Sequence, residues 1–314
     1  MSSSTPSAAT VKPDFSMRLL LTVCAAGLIA ALLAPPIAMM VRACGGHFPF
    51  PRIFDRVVMV TVAIALWSQA RALKLTARLQ RGFANPGRDW RLALWGFAIG
   101  TAAVAVLWTI AAAMGHLPAL VSIHPWELLS RYLPAALVIA ILEEAFFRAI
   151  LLDGLSDDFG LLAGLAISAA IYAWCHLVRA PARFEMTTFQ PLAGFINLGH
   201  SLAQGAALAS AYPLLVGLFL LGLLLGEAYL VTETVYLSLG LHASLVVGAK
   251  SWHRLVNPGH LPGWLEGWGG TPLIGGAAAW GLILLLLVGL SQSRWAKPGR
   301  THSRRATRAR FPLS

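Results

Sequence analysis

Apolar residues in this chain come in long unbroken runs, not in the alternating or 3.6-residue patterns of a water-soluble fold. Eight runs stand out, at about 17–41, 57–70, 92–113, 132–152, 160–178, 213–231, 234–250 and 271–291. A membrane-spanning helix needs about 20 predominantly apolar residues, with a range near 17–25. The pattern therefore predicts an all-α fold, a polytopic transmembrane helix bundle of about eight spans. The second and seventh runs are short by this measure, and seven spans is the nearest alternative. The first run follows Lys12 and Arg18, as a secretory signal would. It continues past Pro35–Pro36 to about Val41, longer than a signal core of about 7–15 residues, so a retained helix is expected.

The segments between the runs are polar. Residues 1–16 are expected to be disordered. The helical domain is expected over 17–292, followed by a basic tail at 293–314. Residues 71–91 form a basic stretch, and 179–211 a long connection with Pro, Gly and Ser that leaves room for an interfacial or re-entrant helix, with periodicity too weak to assign one. Gly160–Gly164 and Gly222–Gly226 each read G-x-x-x-G, a spacing that lets helices approach closely.

Composition agrees with a membrane protein. Charged residues make up 12% of the chain and mean hydropathy is +0.70, whereas soluble chains are about 25% charged. Cys24, Cys44 and Cys175 show no metal-ligand spacing and no disulfide framework. The net charge of +11 could suggest a nucleic-acid partner. The basic residues instead flank apolar runs, which points to membrane lipids and to no nucleic acid. With eight spans, one side would carry 15 Lys and Arg, including six between Arg71 and Arg91 and seven from Arg294 to Arg310, against eight on the other. The positive-inside rule then places both termini in the cytoplasm.

An ionised side chain at the bilayer centre costs at least about 2.5–3.5 kcal/mol. Polar residues inside the runs therefore need a reason. They are Glu143, Glu144 and Arg148 in the fourth run, His176 closing the fifth, Glu227 and Glu233 around the sixth, and His242 in the seventh. Glu144 and Arg148 are four apart, in the order that favours pairing on a helix. Glu143 lies about 100° round the helix from Glu144 and has no partner on its own helix. An unpaired carboxylate is what a general base or acid requires. Glu143, His176 and His242, on three different helices, could converge on one water. They also form a His2Glu set, one that can hold zinc. The other histidines fall in loops or the tail and carry no functional expectation.

Three motifs in order give a resemblance. E-E-x-x-x-R is complete as Glu143, Glu144 and Arg148; the second motif, usually F-x-x-x-H, reads Tyr172-Ala-Trp-Cys-His176; the third, usually H-x-x-x-N, reads His242-Ala-Ser-Leu-Val246. Over about 130–250 the chain resembles the CAAX prenyl protease and bacteriocin-processing (CPBP, or Abi) family of intramembrane proteases. The resemblance implies Glu143 as the group that activates water. It implies His176 and His242 as groups that bind that water or stabilise the oxyanion, and Glu144 and Arg148 as groups that orient the site. It allows a glutamate-type enzyme with no cofactor or a metal-dependent one with Zn2+ on Glu143, His176 and His242. Valine at 246 departs from the family pattern, because it cannot donate a hydrogen bond; Ser244 and Asn197 are the substitutes the sequence offers. Gly240-Leu241-His242-Ala243 with Val246 resembles a bacterial branch, which implies a bacterial cytoplasmic membrane.

Other intramembrane-protease signatures are missing. There is no H-E-x-x-H, no G-x-S-G and no G-x-G-D. Leu152-Asp153-Gly154 echoes a zinc-protease motif, but without a histidine pair it reads as a helix-end turn. The expected function is an intramembrane endopeptidase that hydrolyses a peptide bond of a membrane-associated protein or peptide. Two alternatives stand beside it. One is a non-catalytic membrane scaffold or immunity protein built on the same polar cluster; the other is a transporter that uses intramembrane Glu and His as a proton relay.

Overall fold

The computed structural model describes residues 14–114, 125–178, 186, 188–206, 208–255, 261–268 and 273–293. Every regular element among them is helical. In chain order these are α1 (Phe15–Ala43), α2 (Phe50–Ser68), α3 (Leu75–Gly82), α4 (Pro86–Ala113), α5 (Pro125–Glu144), a π-helical segment (Ala145–Leu152), α6 (Asp153–Phe159), α7 (Leu161–Cys175), α8 (Ala193–Ala206), α9 (Leu208–Thr232), α10 (Tyr236–Leu255), α11 (Gly263–Glu266) and α12 (Ala277–Gln292). Each of the eight expected runs coincides with a helix to within several residues. Residues 1–13 of the expected disordered N-terminus, and 294–314 of the basic tail, lie outside the described residues.

Three helices are long and apolar enough to cross a membrane by length and composition: Phe15–Ala43, Pro86–Ala113 and Ala211–Thr232. Two further apolar helices, α7 and α12, are shorter. Large apolar side chains cover much of the exterior, among them Leu21, Ile64, Trp67, Leu162 and Leu285, each more than 60% exposed. Water would penalise so much apolar surface, whereas a bilayer would not.

The helices that carry the site are packed closely. α10 lies against α4 across glycines on both sides. A Cβ at Gly240 would fall 1.9 Å from the Ala93 carbonyl oxygen, and one at Gly96 would fall 2.2 Å from that of Leu237. α9 meets α7 through Gly222, seated on Ala169, and Gly226, seated on Leu165, as expected of that G-x-x-x-G pair. The other pair divides its roles. Gly164 packs on Ser156, whereas Gly160 lies outside any helix, with φ +82° in the turn between α6 and α7.

Three segments differ from the sequence reading. Leu152-Asp153-Gly154 is not a helix-end turn. The helix passes through it and ends at Phe159, because Asp153 is held by two arginines and not by solvent. The basic stretch 71–91 is not a plain solvated loop. It contains α3, whose Arg78 and Arg81 are buried. Both bond Asp153, Arg81 at 2.5 Å, and Arg78 also bonds Asp157 at 3.0 Å and the Leu73 carbonyl at 3.0 Å. Four side chains bring opposite charges together, so burial is tolerated. Asp158 extends this contact by accepting from the backbone N–H of Ser16 at 2.7 Å, at the start of α1. Lastly, the connection 179–211 contains α8. Its buried residues are Ala193, Gly194, Asn197, Ser201 and Gly205, a stripe of small side chains four apart against α1, where a Cβ at Gly194 would meet the Ala31 carbonyl at 1.9 Å. Such a stripe carries almost no hydrophobic signal.

Candidate active site

Glu143 and Glu144 close the last turn of α5, and Arg148 follows in the π-helical segment. The wider winding is tied to a neighbour, since the Phe147 carbonyl accepts a hydrogen bond from Ser168 of α7 at 3.2 Å. Single π turns recur at functional sites because they re-aim side chains. Here they leave Glu144 and Arg148 facing inward, at 0% and 1% exposure. Arg148 Nε lies 3.3 Å from Glu144 Oε2, the pair expected from the spacing. The Arg148 guanidinium also stacks over the Tyr172 ring, 4.8 Å from its centroid.

Each imidazole is anchored through its Nδ1. His176 follows the last residue of α7, and its Nδ1 lies 2.8 Å from the Tyr172 carbonyl. A carbonyl only accepts, so Nδ1 carries the proton. The bond also satisfies a carbonyl that a helix end leaves open. His242 sits within α10, 3% exposed, with Nδ1 2.9 Å from Glu144 Oε1. An ionised carboxylate likewise only accepts, so here too Nδ1 is the donor. A carboxylate behind an imidazole fixes its tautomer and ring orientation.

Both Nε2 atoms are thereby turned to one place. Glu143 Oε2 lies 3.7 Å from His242 Nε2 and 4.0 Å from His176 Nε2. Those gaps exceed the about 3.2 Å limit of a good N–H···O bond. Glu143 Oε2 is buried and has no hydrogen-bond partner among the described residues. The three side chains line the wall of a cavity of about 510 Å3. Most of the remaining wall is aliphatic, from α4, α9, α10 and α12, with Leu218, Leu221, Ile283 and Leu286 prominent. Tyr172, Val246 and Lys250 line it too.

The structure thus brings together all five residues singled out from the sequence. It does not bring the two substitutes for the family's asparagine to the cavity. Ser244 donates its hydroxyl to the Leu241 carbonyl at 2.8 Å, against α4 near Gly100. Asn197 belongs to α8 and is fully buried away from the cavity wall. Glu227 and Glu233 also lie off that wall. The His242–Glu144 bond was not anticipated, because it joins residues 98 apart in the chain. Lys250 was missed as well. Its only signal was its place eight residues after His242, on the same helix face.

The donor types match a His2Glu zinc set, and the orphaned Glu143 oxygen faces both imidazoles. Even so, no three His, Cys, Asp or Glu side chains among the described residues are gathered at metal-ligand spacing.

Residues 125–247 match the family model described as "Rce1-like: Type II CAAX prenyl endopeptidase Rce1-like". No curated protein and no solved structure matches the chain. The matched segment contains all three motifs and every residue of the polar cluster. The family is one of proteases, and over residues 125–247, less than half of its length, the chain is similar to it.

Proposed function

We propose that the protein is an intramembrane endopeptidase in which Glu143 activates a water molecule against a peptide bond. The observation that carries this reading is the meeting of one orphaned carboxylate oxygen with two tautomer-fixed imidazoles on the wall of an apolar cavity. Polar gaps near 4 Å suit a bridging water. Such a water would donate one proton to Glu143 and another to an unprotonated Nε2. On attack its oxygen bonds to the carbonyl carbon while the proton passes to Glu143. The proton is then delivered to the leaving nitrogen as the carbon–nitrogen bond breaks. Glu144 and Arg148 act behind this group. Glu144 holds His242, and Arg148 neutralises Glu144. The aliphatic wall suits a substrate presented from the membrane.

The test compares peptide termini by mass spectrometry in membranes of cells making the wild type or Glu143→Ala, at matched protein level. Termini that depend on Glu143 support proteolysis and name the substrate. Equal sets of termini move the reading to the non-catalytic scaffold, which Val246 on the cavity wall favours. A peptide substrate found this way also separates the two enzyme types. Cleavage that survives exhaustive chelation marks a glutamate-type enzyme. Cleavage lost on chelation and restored by zinc assigns the metal to Glu143, His176 and His242.

A further inference from the structure

Attack on a peptide carbonyl places negative charge on its oxygen, and a protease must offer that oxygen a hydrogen-bond donor. The site is poor in donors. Glu143 is an acceptor. His176 and His242 have each committed the Nδ1 proton, to the Tyr172 carbonyl and to Glu144. A neutral imidazole has one N–H only, so both Nε2 atoms begin the reaction as acceptors. Lys250 is eight residues beyond His242, about 12 Å along the helix at 1.5 Å per residue. Val246, one turn from His242 on the cavity wall, has nothing to donate.

Arg148 carries N–H donors, but it faces Glu144 and does not line the cavity. Tyr172 does, beside Glu143, His176 and His242. Its ring stands 4.6 Å from the His176 ring and 6.3 Å from the His242 ring. The ring is only 2% exposed, and it is fixed edge-on by Phe147 at 5.0 Å and covered by the Arg148 guanidinium. Its hydroxyl makes no hydrogen bond among the described residues. A buried phenol usually finds a partner, and this one shares its cavity with the reacting groups.

We propose that Tyr172 is a catalytic residue whose O–H donates to the oxyanion, filling the role that Val246 cannot. This rests on the protease reading above. Two positions of the motifs then make sense together: a hydroxyl appears where the family usually has phenylalanine, and a donor is missing where it usually has asparagine.

The experiment uses the full-length protein in membranes or detergent and the peptide identified by its Glu143-dependent termini. Tyr172→Phe keeps the ring and its packing. Loss of one oxyanion donor typically lowers kcat about 10²–10³-fold, so turnover is expected to fall by about that factor with KM unchanged. Adding Val246→Asn to Tyr172→Phe places an amide one turn from His242 and is expected to recover most of the loss. Full turnover in Tyr172→Phe overturns the assignment. A loss that appears in KM, or one that Val246→Asn does not recover, also overturns it. Absence of any Glu143-dependent cleavage is a different failure, since it removes the protease reading itself and this assignment with it.

Discussion

At the scale of single residues, the two adjacent glutamates have opposite environments. Glu144 is fully buried between Arg148 and His242. Removing one partner of a buried charge group costs about 3–5 kcal/mol, because it strands the other charge. Glu144→Ala is therefore expected to lower the yield and the melting temperature of the purified protein. Glu143 has no ion pair within 3.5 Å among the described residues, and its side chain is 27% exposed to the cavity. Glu143→Gln is expected to abolish cleavage while leaving the melting temperature within a few degrees of wild type. Equal melting temperatures for the two variants would sink this division of labour. Much of it was legible in the residues themselves. The i, i+4 spacing exposed the Glu144–Arg148 pair and left Glu143 over. The second partner of Glu144 was not legible, since nothing local in the sequence relates residue 144 to residue 242.

At the scale of elements, the site depends on how closely α10 approaches α4. That approach is possible because Gly96 and Gly240 present bare backbone to the opposite helix. Overpacking a filled interface typically costs about 1–3 kcal/mol. A Cβ 1.9 Å from a carbonyl oxygen cannot be absorbed by a side-chain shift. Gly240→Val is expected to destabilise the protein by at least that much and to displace His242, two residues away. Unchanged thermal unfolding in detergent would show that the two helices separate more readily than the packing indicates. The π-helical segment and α3 belong to this scale as well. Arg78 and Arg81 grip Asp153 just beyond the segment that carries Arg148, so that segment is anchored at its C-terminal end. A search for apolar periodicity finds neither feature. The π winding has no period of its own in the sequence, and the acidic partners of Arg78 and Arg81 lie more than 70 residues away.

At the scale of the whole molecule, described residues whose regular elements are all helical, an apolar exterior and a segment similar to a membrane-protease family point to an integral membrane protein. Orientation follows from charge. Arg78 and Arg81 are buried in ion pairs, and withdrawing both from the count still leaves 13 basic residues against eight. Both termini are therefore expected on the cytoplasmic side. A reporter that works only in the cytoplasm, fused after Ser314, should be active. Activity of a reporter restricted to the opposite side would overturn the orientation and require an odd number of spans.

Long apolar runs determined the helices, because a bilayer admits few other ways to satisfy backbone polar groups. The cost of charge within such runs also determined which residues to watch, which is why Glu143, Glu144, Arg148, His176 and His242 stood out before any coordinates. Only the tertiary structure decided what those residues do to one another. It turned both Nε2 atoms to Glu143, joined His242 to Glu144, and made a helix of the small-residue stripe in α8. It also kept Ser244 and Asn197 off the cavity wall and set Tyr172 on the same wall as Glu143, His176 and His242. The reason is physical. Burial cost is a property of each residue in its segment, whereas hydrogen-bond partnership depends on which helices meet and how they are rotated.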